Sequence, residues 1–193
     1  MLRTLSRVTF VFALCLAPAI AADEKLEPGT IELFNGKDLT SWGYKSKDKD
    51  GKFESFDGKT DASDKRYSAK DGALVVNPGK GTAQLWTKES FPKDFELRLE
   101  FRAAVNADSG LFLRGKQLQV RDYPVAGPYK NLKKYKPQDW NEIVVVVKGE
   151  VAHCTCNGEV LEEAFKIPAT GPIGLEADRD QMEYRKIRLK EIK

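Results

Sequence analysis

The chain has 193 residues, of which 32 are Lys or Arg and 29 Asp or Glu, for a net charge of +3. Two of those cations, Arg3 and Arg7, lie in the first 21 residues; without them 30 basic face 29 acidic side chains, a net of +1. No basic field is left to argue for nucleic acid or an anionic membrane surface. One histidine and three cysteines leave almost no material for a His-based metal cluster, a Ser-His triad or a disulfide framework.

Arg3 and Arg7 precede an apolar run from Val8 to Leu16, and Ala19-Ile20-Ala21 reads as a cleavage site before Ala22. The run is too short to span a bilayer. Residues 1–21 are therefore expected to be a removable leader, and residues 22–193 a single exported domain, periplasmic or secreted, without membrane attachment. About 172 residues are enough for one domain with a core.

Strand signals follow in order. Ile31 to Leu33 reads as a short strand, Asn35-Gly36 as a turn and Trp42 as an aromatic anchor. Residues 44–66, dense in Lys, Asp, Ser and Gly without periodicity, predict a long solvated loop. RYSAKDGALVV gives two strands around an Asp71-Gly72 turn, and Leu85 and Trp86 sit in another strand ending at Thr87.

Phe95 to Asp122 holds three runs. Phe95, Leu97, Leu99 and Phe101 alternate with Glu96, Arg98, Glu100 and Arg102, one apolar face against one charged face. Leu111 and Leu113 oppose Phe112 and Arg114; Leu118 and Val120 oppose Gln117, Gln119 and Arg121. Gly115-Lys116 is the expected hairpin turn between the last two. The proline- and lysine-rich residues 123–139 predict a loop across an edge or mouth of a sheet. WNEIVVVVK is the most strongly β-forming run, Asn157-Gly158 the best hairpin signal, and GPIGLEA and MEYRKIRLKEI close the chain.

About a dozen short strands and no long helix-period segment predict an all-β, two-sheet antiparallel sandwich. Leu97, Leu99, Leu111, Leu113, Val120, Ile143 and Val145 are the expected core. Cys154 and Cys156, as neighbours two apart on one strand, would form a strained bridge, so both are expected to be free and buried, with His153 beside them.

LFNGKDLTSW, KDGALVV, DFELRLEFR, SGLFLRG, LQVRD, DWNEIVVVVKG, CNGEVL, GPIGL and YRKIRL stand in the order seen in the 3-keto-disaccharide hydrolase family, also described as 3-keto-glucoside-1,2-lyases and 3-keto-2-hydroxy-glucal hydratases. The resemblance covers about residues 31–192. It implies a concanavalin A/laminin-G-like jelly roll acting on carbohydrate, namely an oxidised glycoside. There a base removes the C2 proton, charge develops at the C3 oxygen, and the C1–O bond breaks by elimination.

Glu100 is then the candidate base and Arg114 the candidate enolate stabiliser. Arg98, Phe112, Gln119, Asp122 and Glu176 are candidate substrate contacts. No cofactor is implied, while Asp108, Asp122, Glu176 and Asp178 leave a calcium or manganese site open. Relatives often carry histidines where this chain has Cys154 and the Glu176-Ala177-Asp178 segment, so no acid/base histidine transfers. The rival readings are a non-catalytic carbohydrate-binding module using the same concave face and a laminin-G-type interaction domain.

Overall fold

A strand whose side chains alternate can bury one face and leave the other wet, and this chain is built almost wholly on that device. The computed structural model describes residues 26–45 and 52–192; the leader assigned to residues 1–21 lies outside them. Fourteen strands occur there, and no helix. They are β1 (Thr30–Glu32), β2 (Trp42–Lys45), β3 (Phe53–Ser55), β4 (Tyr67–Lys70), β5 (Ala73–Val76), β6 (Ala83–Thr87), β7 (Phe95–Ala103) and β8 (Asp108–Leu113). Then follow β9 (Lys116–Arg121), β10 (Asn141–Lys148), β11 (Val151–Cys156), β12 (Glu159–Lys166), β13 (Ile173–Ala177) and β14 (Met182–Glu191).

They form two antiparallel sheets packed as a jelly-roll sandwich. An eight-stranded sheet runs β12-β11-β10-β7-β14-β5-β4, with β1 also paired to β14, and a six-stranded sheet runs β3-β2-β6-β13-β8-β9. The seven predicted core residues are all at most 1% exposed. Cys154 and Cys156 are free and buried as expected, and burial pushes both thiols up to about 12, so they stay protonated and unreactive near neutral pH. The His153 ring turns to the other face of β11, its Nδ1 2.9 Å from the Glu163 carboxylate. Residues 123–139 carry no strand and fold over one end of the core, where the Tyr123 and Tyr135 rings pack against Phe101.

Two expectations need correction. Residues 44–66 are not simply a solvated loop. Their described part supplies the edge strand β3, and Phe56 and Ala62 are buried because the segment folds back across β2.

The β8–β9 turn is Arg114-Gly115 rather than Gly115-Lys116. Leu113 pairs with Lys116, and the two turn residues take φ of 52° and 92°, as a type I′ hairpin requires. That shift of one residue removes Arg114 from the strand. Its guanidinium, in a residue 3% exposed, donates to the carbonyls of Phe91 (2.7 Å), Lys93 (2.7 Å), Gly149 (2.7 Å) and Pro168 (3.2 Å). A cation committed to four main-chain oxygens is a structural clamp.

Two stability measurements check this arrangement. Leu99→Ala, in the middle of β7, should lower the unfolding free energy by about 2–5 kcal/mol in denaturant titration. Arg114→Ala strips four carbonyls of their donor and should cost at least about 3 kcal/mol, given 1.5–3 kcal/mol for a hydrogen bond to a charged group.

Candidate functional site

The outer faces of the two sheets differ in chemistry. On the eight-stranded sheet, Glu96, Arg98, Glu100 and Arg102 project from β7 as the alternation predicts, and each meets an opposite charge. Arg98 lies 2.6 Å from Glu96 and 3.4 Å from Glu142, and Arg102 pairs with Glu183. Glu100 accepts from Arg185 at 2.5 Å and from Lys186 at 2.9 Å. Burial acts to raise the Glu100 carboxyl, but the hydrogen bonds and charges of Lys186 and Arg185 outweigh it and hold it below its ordinary value. A carboxylate so held is a weak base. A depression of about 420 Å³ does lie here, yet its charges neutralise one another and no aromatic ring lines it. Beside it on the same face the Trp140 ring is covered by Arg185 at 3.9 Å and Arg102 at 4.8 Å, in a depression of about 320 Å³.

The six-stranded sheet carries rings and a set of amides. The register aligns Gly43 of β2, Trp86 of β6, Gly174 of β13, Phe112 of β8 and Gln117 of β9 in one row. The glycines make room for rings to lie flat. A Cβ on Gly174 would sit 2.5 Å from the Trp86 ring, and one on Gly43 would sit 2.6 Å from that of Phe53. Trp86 thus reaches across Gly174 to Phe112, with centroids 4.9 Å apart, and the Lys45 ammonium stands 4.5 Å above the Trp86 ring.

The next row brings polar groups to the same surface. Glu176 of β13 pairs with Gln84 of β6, and Gln119 of β9 with Gly110 of β8. Gln117 donates to the Glu176 carboxylate at 2.6 Å. Gln119 donates to Asp108 at 2.6 Å, and Asp108 also meets Arg121 at 3.0 Å and Arg179 at 3.5 Å. Burial raises the Glu176 carboxyl above its ordinary value, the charge of Asp178 adds to this, and the Gln117 hydrogen bond only partly offsets it. On this face stands a carboxylate made more basic by its surroundings.

Of the predicted site residues, Phe112, Gln119 and Glu176 therefore come together. Glu100 and Arg98 lie on the opposite outer face of the sandwich, and Arg114 is in its turn, so no common surface holds Glu100, Arg114 and Gln119. Asp122 is 4% exposed and accepts from the Asn106 main-chain N–H (3.1 Å), Tyr135 (3.2 Å) and Gln138 (3.4 Å), which fastens loops together. Among the described residues no group of three or more His, Cys, Asp and Glu is placed to hold a metal ion. Trp86, Lys45, Gln84 and Gln117 belong to the face without having been singled out, and Asp108, named only as a possible metal ligand, belongs to it through Gln119, Arg121 and Arg179. Their one sequence signal is an outward-facing glycine beside an outward-facing ring, readable only once neighbouring strands are known.

No curated protein sequence matches the chain. Among solved structures, a protein from Parabacteroides distasonis ATCC 8503, provisionally named a glycosyl hydrolase, is similar over 86% of this chain and 95% of its own, with TM-score 0.61 and 17% identity. A second from the same organism, also provisionally named a glycosyl hydrolase, covers 65% of this chain and 90% of its own, with TM-score 0.53 and 20% identity. These likenesses are likenesses of fold. Residues 29–190 match the 3-keto-alpha-glucoside-1,2-lyase-like domain, and the chain belongs to that family.

Proposed function

We propose that this protein, exported to the periplasm or beyond the cell, cleaves 3-keto-glycosides on the outer face of its six-stranded sheet with Glu176 as the base. The 3-oxo group of such a sugar acidifies the C2 hydrogen. Glu176 takes that proton and the electron pair moves to the C3 oxygen; the pair then returns to form a C1=C2 double bond as the C1–O bond breaks, the departing oxygen taking up the proton that Glu176 removed. Addition of water across the C1=C2 bond of the resulting 3-keto-2-hydroxyglucal completes hydrolysis.

The observation that carries this reading is the placement of a half-buried Glu176 carboxylate, held by Gln117 at 2.6 Å, on the same face as the Trp86–Phe112 pair, and its burial beside Asp178 acts to raise it. A general base works best when its pKa approaches the working pH, and this is the carboxylate of the two outer faces pushed in that direction. The remaining exposed parts of the Trp86 and Phe112 rings offer an apolar contact for a sugar once Lys45 moves off Trp86, and Gln84, Gln117 and Gln119 suit its hydroxyls. Lys45, above Trp86, is the cation best placed to meet charge developing at the C3 oxygen.

One observation favours the rival reading, a binding module without turnover. The chain's single histidine, His153, is on the other sheet, so the face has no imidazole to protonate a leaving oxygen.

Incubation with a 3-keto-disaccharide, with and without EDTA, followed by product analysis separates the two readings and decides whether a calcium or manganese ion takes part. Glu176→Gln should lower turnover by about 10²–10⁴-fold. Unchanged turnover would remove Glu176 from the mechanism. For a binding module there is no turnover to lose, and Trp86→Ala should abolish retention on a sugar column.

Stability gives a second readout. The Glu176 carboxyl is raised on folding, so its contribution favours the native state below the ordinary value of 4.5 and is lost as pH rises through the folded value. Glu176→Gln should therefore melt higher than the parent at neutral pH, with the gap closing below about pH 4.

A further inference from the structure

The ladder between β13 and β8 breaks beneath Glu176. Leu175 pairs with Leu111, and the next pairing is Arg179 with Asp108, which exchange main-chain hydrogen bonds at 2.8 and 3.2 Å. Four steps on the β13 side thus face three on β8, which is a β-bulge spanning Glu176 to Asp178. An extra residue leaves main-chain groups without ladder partners, and a buried carbonyl without a donor costs about 1–3 kcal/mol.

Here the partners come from the core. The Ser109 hydroxyl donates to the Glu176 carbonyl at 2.6 Å, and the Tyr184 hydroxyl of β14 lies 2.7 Å from Ser109 Oγ. With its one hydrogen given to Glu176, Ser109 must accept from Tyr184. Both residues are fully buried, so this polar chain crosses the whole interior from one sheet to the other. On the flank, Arg66 Nη2 donates to the Ala177 carbonyl at 3.0 Å.

We propose that Ser109, oriented by Tyr184, is a positioning residue that holds the bulge and so aims the Glu176 carboxylate at the face carrying Trp86 and Phe112. Neither hydroxyl reaches that face; both act through the main chain of the base. The proposal rests on Glu176 serving as the base, and the design below lets the two fail separately.

The variants are Ser109→Ala and Tyr184→Phe, each alone and with Glu176→Gln. Misplacement of a reacting group by about 1 Å is worth about 10²-fold, so Ser109→Ala should lower kcat by about that factor with KM little changed. Tyr184→Phe, which leaves the Ser109 hydroxyl in place, should have a smaller effect of the same kind. Neither should add to the loss in the Glu176→Gln background. Carbon-detected NMR titration of the Glu176 carboxyl supplies a readout independent of turnover. It should titrate above 4.5 in the parent and fall toward that value in both hydroxyl variants.

A lowered melting temperature with kcat and the Glu176 titration unchanged would overturn the proposal and leave Ser109 merely structural. If Ser109→Ala does not fold, Tyr184→Phe decides by the same two readouts. Full turnover in Glu176→Gln alone would instead sink the function proposed for Glu176, and the NMR titration would still decide whether Ser109 and Tyr184 hold the bulge.

Discussion

Main-chain carbonyls that leave the strand ladders inside the molecule must find donors, and much of this structure depends on how they are found. A sandwich of two sheets sends its chain back and forth between layers, and every crossing frees carbonyls near the core. Two buried arginines collect them. Arg114 gathers four, from Phe91, Lys93, Gly149 and Pro168, at one end of the sandwich. Arg66 gathers four more, from Asn77, Lys80, Gly81 and Ala177. A guanidinium suits this task because its five donors spread in a plane, whereas an ammonium offers three from one point. The second clamp joins the loop before β6 to the end of β13, the strands that carry Trp86 and Glu176.

The two outer faces show how the same alternation serves different ends. On the eight-stranded sheet the outward residues of β7 are long and charged, paired with neighbours in water, and contribute little net energy per pair, while β10 turns Val144 and Val146 outward. On the six-stranded sheet, glycines at 43, 110 and 174 leave the surface low, and side chains from adjacent strands lie across it. Removing a Cβ in a strand weakens the strand locally. What is gained is a close ring pair, Trp86 and Phe112, tilted 49° to one another and only 8% and 6% exposed, with amides and one carboxylate around it.

That carboxylate is a point where stability and chemistry pull apart. Partial burial beside Asp178 and Asp108 penalises the ionised form of Glu176, and the same penalty makes it a better proton acceptor. Glu100 illustrates the opposite arrangement. Paired to Arg185 and Lys186, it is comfortable as an anion and correspondingly reluctant to take a proton.

The sequence by itself determined most of the strands, though not β3, together with their inward residues and the free, buried cysteines, because the two-residue period is local: a side chain's parity within its own strand decides whether it meets the core. Leu97, Leu111, Val120 and Ile143 were legible for that reason, as were the Asp71-Gly72 and Asn157-Gly158 turns. Parity cannot say which sheet a strand joins. Glu100 and Glu176 both point outward, yet they stand on opposite sides of the molecule, since β7 and β13 belong to different sheets. A turn displaced by one residue took Arg114 out of its strand and into the clamp. The Trp86–Gly174–Phe112 surface unites residues far apart in the chain, and the bulge beneath Glu176 exists only relative to β8. Those features were decided by tertiary structure, because each depends on which distant strand lies alongside and no single stretch of sequence contains that pairing.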